Sequence, residues 1–142
     1  MKSGSAEGKI LGGCLPVIKH LAGTKYWPDF KNKILLLETP EGDDYRKGEN
    51  LANIDSALGD LRNLNVFKGV KGLVFGRGFG YSDEEIKKLK EIILYNVRDY
   101  NFPILYNADI GHSDPMITIP LGVKARIDSK RNSFEISEAG VR

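Results

Sequence analysis

The sequence predicts an α/β domain whose mixed sheet has a parallel core and ends in an antiparallel hairpin. Three observations carry that prediction. Short, continuous apolar runs recur at "KILLLE" (33–38), "GLVFG" (72–76) and "FPILY" (102–106), as strands covered on both faces require. Segments with helical spacing separate these runs. The last part of the chain instead alternates polar and apolar residues around a polar turn, the pattern of a half-exposed hairpin.

Taken in order, "MKSGSAEG" (1–8) is small and polar and reads as a linker or cloning scar with no fold of its own, which leaves 9–142 as one domain. "LPVIKHLAG" (15–23) suits either a short helix or an extended arm ending at Gly23. After the first strand, Leu51, Ile54, Leu58 and Leu61 recur at helical spacing and predict an amphipathic helix over 49–63, in spite of Gly59. "SDEE" (82–85) is a capping box, in which Ser82 caps the first turn and Glu85 reaches back. Ile86, Leu89, Ile93 and Val97 then mark one face of a helix over 83–98. "GVKARID" (122–128) and "SFEISE" (133–138) form the hairpin, with "DSKRN" (128–132) as its turn. Strand–helix alternation with right-handed crossovers makes the core strands parallel.

A chain of 142 residues suits one domain, and that length buries roughly 68–70% of the unfolded surface. A net charge of +2 on 21 basic and 19 acidic residues argues against a nucleic-acid polymer as partner. No apolar run approaches the ~18 residues of a membrane span, and "MKSGSAEGK" lacks the apolar segment of a signal peptide. The single cysteine excludes an internal disulfide and fits a reducing compartment, so a cytoplasmic location is expected. "GRGFG" (76–80) has the wrong spacing for a dinucleotide fingerprint and follows the second strand. Glu41, Asp43 and Asp44 in "PEGDD" read as a solvated turn, which offers too few oxygen ligands for calcium or magnesium, and one cysteine with two histidines argues against zinc. No metal and no cofactor is expected.

Sites in open α/β sheets form beyond the carboxyl ends of the strands. Glu38 closes the first of these strands, and "NADIGHSDP" (107–115) brings Asp109 and His112 just past the third. Neighbouring parallel strand ends lie ~5 Å apart, or ~10 Å with one strand between, so Glu38 and His112 can meet. The carboxylate would fix the imidazole tautomer and stabilise its protonated form. The other reading is a loop histidine satisfied by a backbone carbonyl. Cys14 in "GGCLP" is either the nucleophile of a Cys–His–Glu triad or a small, inert, buried thiol. Tyr26 and Trp27 are either an aromatic wall for a ligand or part of the core.

The motifs "GKILGGCL", "YWPDFKNKILLLE", "GLVFGRG" and "PILYNADIGHSDPMITIPLGV", in that order, resemble the C-terminal domain of the serine LD-carboxypeptidase family. That family includes muramoyl-tetrapeptide carboxypeptidases and microcin C immunity proteins. The resemblance covers residues 8–138, and its most specific parts are the strand-terminal glutamate and "GHSDPMITIPLG". It implies a swivelling β/β/α-like domain and a cofactor-free Ser–Glu–His triad divided between two domains. An N-terminal domain of the same parent protein would carry the serine and the oxyanion-hole amides. Glu38 would be the orienting carboxylate and His112 the general base. Trp27, Arg77, Asp109 and Asp114 are the candidate substrate contacts.

The implied substrates are murein LD-peptides or microcin-like peptidyl or aminoacyl nucleotides, cleaved at an amide bond. No "GxSD"-type nucleophile turn occurs in the chain, so the isolated chain is expected to hydrolyse nothing. Tyr26, Trp27 and Phe79 are expected on the face toward the nucleophile domain, and a homodimer is a further implied partner. The alternative is a non-enzymatic ligand- or protein-binding module using the same cleft. One departure from the family pattern is Cys14, which stands where asparagine commonly follows the two glycines.

Overall fold

Six strands form one sheet of order β4-β3-β2-β1-β5-β6. The strands are β1 (Ser5–Cys14), β2 (Lys33–Glu38), β3 (Gly72–Gly76), β4 (Ile104–Ala108), β5 (Lys124–Asp128) and β6 (Ser133–Ile136). The helices are α1 (Leu15–Lys19), α2 (Leu51–Asn63), α3 (Val66–Gly69) and α4 (Asp83–Asn96). This computed structural model describes residues 1–141. β1 to β4 pair in parallel, and β5 and β6 add on antiparallel beside β1. The mixed sheet with a terminal antiparallel hairpin is thus the one the sequence predicts.

"KILLLE" shows why a continuous apolar run belongs inside such a sheet. Leu35 and Leu37 face the helices, in a core with Leu15, Leu58, Leu61, Phe67, Leu89 and Ile93. Ile34 and Leu36 point the other way, into a second core with Ile10, Val74, Leu105, Ala125 and Ile127. Ile127 of β5 reaches this second core because the sheet curls over it. The strand order rises steadily from β1 to β4, so right-handed crossovers place α1, α2 and α4 on one side. The capping box forms as read: Glu85 N–H donates to Ser82 Oγ at 3.3 Å, and Ser82 N–H donates to Glu85 Oε2 at 2.8 Å. The bonds that the Ser82 N–H and, at 3.0 Å, the Ser82 hydroxyl donate to Glu85 Oε2 hold that carboxyl below the usual carboxylate range.

Two expectations are corrected. Residues 5–8 are strand, not a structureless leader: Ser5, Ala6, Glu7 and Gly8 pair with Asp128, Ile127, Arg126 and Ala125. β1 has a ladder on each side, so backbone hydrogen bonds hold a segment whose glycines interrupt any apolar pattern. The third predicted strand shifts from 102–106 to Ile104–Ala108, since Pro103 has no N–H to give a ladder. In the segment 15–23 the helical reading holds for Leu15–Lys19, α1, which has a proline in its first turn, and 20–23 continue as turn.

Candidate functional site

The carboxyl ends of β1, β2, β3 and β4 lie side by side at Cys14, Glu38, Gly76 and Ala108. Glu38 is only 7% exposed. A carboxylate so placed needs a donor, and the donor is His112, whose Nδ1–H gives a 2.7 Å hydrogen bond to Glu38 Oε2. Because a carboxylate only accepts, this contact places the proton on Nδ1. Nε2 is then the nitrogen free to act as a base. It lies 3.4 Å from Glu41 Oε2, and the histidine side chain is 38% exposed.

β3 separates β2 from β4, so the loop after β4 must cross it to deliver the histidine. Two features let it do so. A Cβ at Gly76 would lie 2.6 Å from the Ile110 carbonyl oxygen and 2.9 Å from Glu38 Cβ, so glycine alone leaves a path. Gly111 has φ +104°, and a Cβ there would lie 2.8 Å from Glu38 Oε2. Before the loop begins, the β3–β4 register shifts beyond Phe75, and Asn107 takes φ +66°. Such a bulge re-aims the following chain.

Arg77, the residue after β3, ties this loop on both sides of His112. Its guanidinium donates to the Asp109 carboxylate and, at 2.9 Å, to the Asp114 carbonyl oxygen. Ser113 Oγ–H donates to the Arg77 carbonyl oxygen at 3.3 Å. Three of the four candidate substrate contacts therefore meet one another, with Arg77 and the Asp109 carboxylate paired.

Trp27 is not among them. It stacks edge to face on Phe30 at 5.3 Å and lines a surface hollow with Leu64, Asn65 and Val66. These residues lead into Lys33, at the opposite end of β2 from Glu38. Its amphipathic ring completes the edge of the helix-side core there. Tyr26 is 68% exposed, and Phe79 is half-buried.

Cys14 lies opposite Glu38 in the β1–β2 register. Burial, and then the neighbouring Glu38 carboxylate, push its thiol up to about 12. Nucleophilic cysteines show the reverse shift, because the thiolate is the reactive form. The shift at Cys14 runs against the cysteine-triad reading. Among the described residues, no group of three or more His, Cys, Asp or Glu side chains is arranged to hold a metal ion.

Sequence reasoning placed Glu41 in a solvated turn. Its side chain meets His112 because residues 40–49 fold back on themselves, with a Glu41–Gly48 bridge and a 2.8 Å bond from Gly42 N–H to the Lys47 carbonyl. No local sequence signal announces that return.

Comparison with known proteins places this curled mixed sheet in one family. The profile of the LD-carboxypeptidase C-terminal domain matches residues 7–127. The chain belongs to this family. YocD of Bacillus subtilis is 33% identical over 129 residues, covering 91% of this chain and 38% of that protein. The microcin C7 self-immunity protein MccF of Escherichia coli is 31% identical over 138 residues, covering 96% of this chain and 38% of MccF. A solved structure of MccF in complex with aspartyl sulfamoyl adenosine matches with a TM-score of 0.85 and 25% identity, covering 99% of this chain and 40% of that one. An MccF-like protein from Bacillus anthracis gives a TM-score of 0.78 at 33% identity, over 95% of this chain and 40% of that one. This LD-carboxypeptidase C-terminal domain thus spans about two-fifths of the length of the relatives it matches.

Proposed function

We propose that this domain supplies the glutamate and histidine of a Ser–His–Glu triad to a carboxypeptidase that hydrolyses an amide bond. The observation that carries the reading is the 2.7 Å hydrogen bond from His112 Nδ1–H to the buried Glu38 carboxylate. In this role His112 Nε2 accepts the proton of a serine hydroxyl held by a separate nucleophile domain of the parent protein. Glu38 fixes the tautomer and stabilises the imidazolium that results. The histidine then returns the proton to the leaving amine, water repeats the cycle on the acyl-enzyme, and no metal is required. Arg77, Asp109, Ser113 and Asp114 hold the histidine's loop in place. Resemblance to the family supports two substrate classes, murein LD-peptides and aminoacyl or peptidyl nucleotides.

The test joins this chain to the nucleophile domain of its parent protein. Release of D-alanine is measured from L-lysyl-D-alanine-terminated muropeptides, and release of amino acid from aminoacyl-sulfamoyl adenosine. The intact protein is expected to cleave at least one class, and the 142-residue chain alone neither. Glu38→Gln should lower kcat by about 10⁴, the cost of leaving a triad histidine in the wrong tautomer. Activity of the isolated chain that vanishes with Cys14→Ala would sink this reading and establish a cysteine nucleophile instead.

A further inference from the structure

From the carboxylate beside the outer nitrogen of His112, we infer that Glu41 selects substrates bearing a primary ammonium group next to the scissile carbonyl. The inference rests on the proposed roles of Glu38 and His112. Glu41 Oε2 lies 3.4 Å from Nε2, the nitrogen that a nucleophile must approach. With Nδ1–H given to Glu38, the neutral imidazole has only a lone pair at Nε2, the nitrogen beside this second carboxylate. Two groups that only accept cannot satisfy each other. Among the described residues Glu41, its side chain 45% exposed, therefore has no protein partner in the state where His112 works as a base.

Among the described residues no lysine or arginine pairs with Glu41, since Arg77 holds Asp109 and Arg46 holds Asp44. The backbone there is not loose either. The Glu41–Gly48 bridge closes the hairpin, Glu49 N–H donates to the Pro40 carbonyl at 3.1 Å, and Tyr81 Oη–H donates to the Glu49 carbonyl at 2.5 Å. The fold thus presents an unbalanced negative charge beside the reacting nitrogen.

In the reacting complex the serine oxygen lies ~3 Å from Nε2 and the scissile carbon ~3 Å further on. That brings the carbon within roughly 9 Å of the Glu41 oxygen even with all three separations in line, and closer when they bend. An oxyanion develops at that carbon, and an uncompensated carboxylate opposes it. An α-ammonium, two bonds from the carbonyl carbon, fits between the two charges and donates to Glu41. Amino acids carrying a free α-amine, as in aminoacyl nucleotides, have that group. Internal peptide residues have a neutral amide in its place, and a lysine side chain holds its ammonium much further away.

The experiment uses the intact parent protein and three lysyl-sulfamoyl adenosines: unmodified, Nα-acetylated and Nε-acetylated. The unmodified and Nε-acetylated compounds are expected to exceed the Nα-acetylated one in kcat/KM by about 10- to 100-fold, the range a charge-assisted hydrogen bond supplies. Glu41→Gln should bring the ratio within about threefold, while Glu41→Asp retains a preference. A preference lost on Nε- rather than Nα-acetylation would overturn the α-ammonium assignment and give Glu41 to a side-chain ammonium. Equal rates in the wild type, or a preference that survives Glu41→Gln, would overturn the inference altogether. Absence of all hydrolysis would instead count against the Glu38–His112 assignment. Glu41 is then read on the 142-residue chain by NMR of the His112 ring during titration with alaninamide and N-acetylalaninamide. A response confined to the free amine and abolished by Glu41→Gln supports the inference; equal responses refute it.

Discussion

Glu38 sits almost wholly inside the protein, yet its partner is a neutral-to-cationic switch rather than an arginine. In the proposed triad, that choice suits a group that stabilises positive charge only when the reaction generates it. The cost falls on Gly111, which wraps the backbone around the carboxylate at a positive φ. Gly111→Ala is therefore expected to destabilise the protein by more than about 1 kcal/mol. It should also break the His112–Glu38 bond, because the new methyl group would stand 2.8 Å from Glu38 Oε2. Urea denaturation reads the first effect and the downfield Nδ1–H resonance of His112 the second. An unchanged resonance would show that the loop can yield without releasing the histidine.

At the scale of elements, the loop after β4 depends on β3. The Arg77 guanidinium meets Asp109 before the histidine and the Asp114 carbonyl after it, so one side chain ties both arms, and the Arg77 backbone carbonyl adds a bond from Ser113. Its side chain is 31% exposed and that of Asp109 44% exposed. An ion pair so wetted contributes little to global stability. Arg77→Met should therefore change the unfolding midpoint only slightly. Amide hydrogen exchange over 110–114 should nevertheless quicken, and in the intact protein kcat should fall about 10- to 100-fold with KM little altered. Unchanged exchange in that loop would show that its own turns, including the 2.9 Å bond from Ile117 N–H to the Asp109 carbonyl, are sufficient.

For the whole molecule, alkaline pH is the informative variable. Burial pushes the hydroxyls of Tyr81 and Tyr106 up to about 12, and burial with Glu38 does the same for the Cys14 thiol. Unfolded tyrosine and cysteine ionise near 10 and 8.5. The folded state then holds protons that the unfolded state has released, so stability is full below about pH 8.5 and declines as pH rises toward 12. Thermal melts from pH 8 to 11 should show this decline. Tyr106→Phe should make it shallower, and at pH 7 should cost little. The Tyr106 hydroxyl is buried without a hydrogen-bond partner among the described residues, and removing such a group forfeits no bond. A melting temperature indifferent to pH over that range would contradict the argument.

Several features of the fold and site were decided by the sequence alone. Leu35 and Leu37 alternate with Ile34 and Leu36, and such a run has only one comfortable place, a strand buried on both faces. The repeats of Leu51, Ile54, Leu58 and Leu61 and of Ile86, Leu89, Ile93 and Val97 define helix faces in the same way. A glutamate at one strand end and a histidine beyond another follow from those strands. Burial and periodicity are properties of local sequence, so these features were legible. β1 was not, because a strand held between two ladders by its backbone, with glycines where side chains would be, carries almost no apolar signal. Nor were the Arg77–Asp109 tie, the removal of Trp27 to the far end of β2, or the approach of Glu41 to His112. Each depends on which way a loop folds back across the sheet. Contacts between residues distant in sequence settle that direction, and periodicity does not encode them.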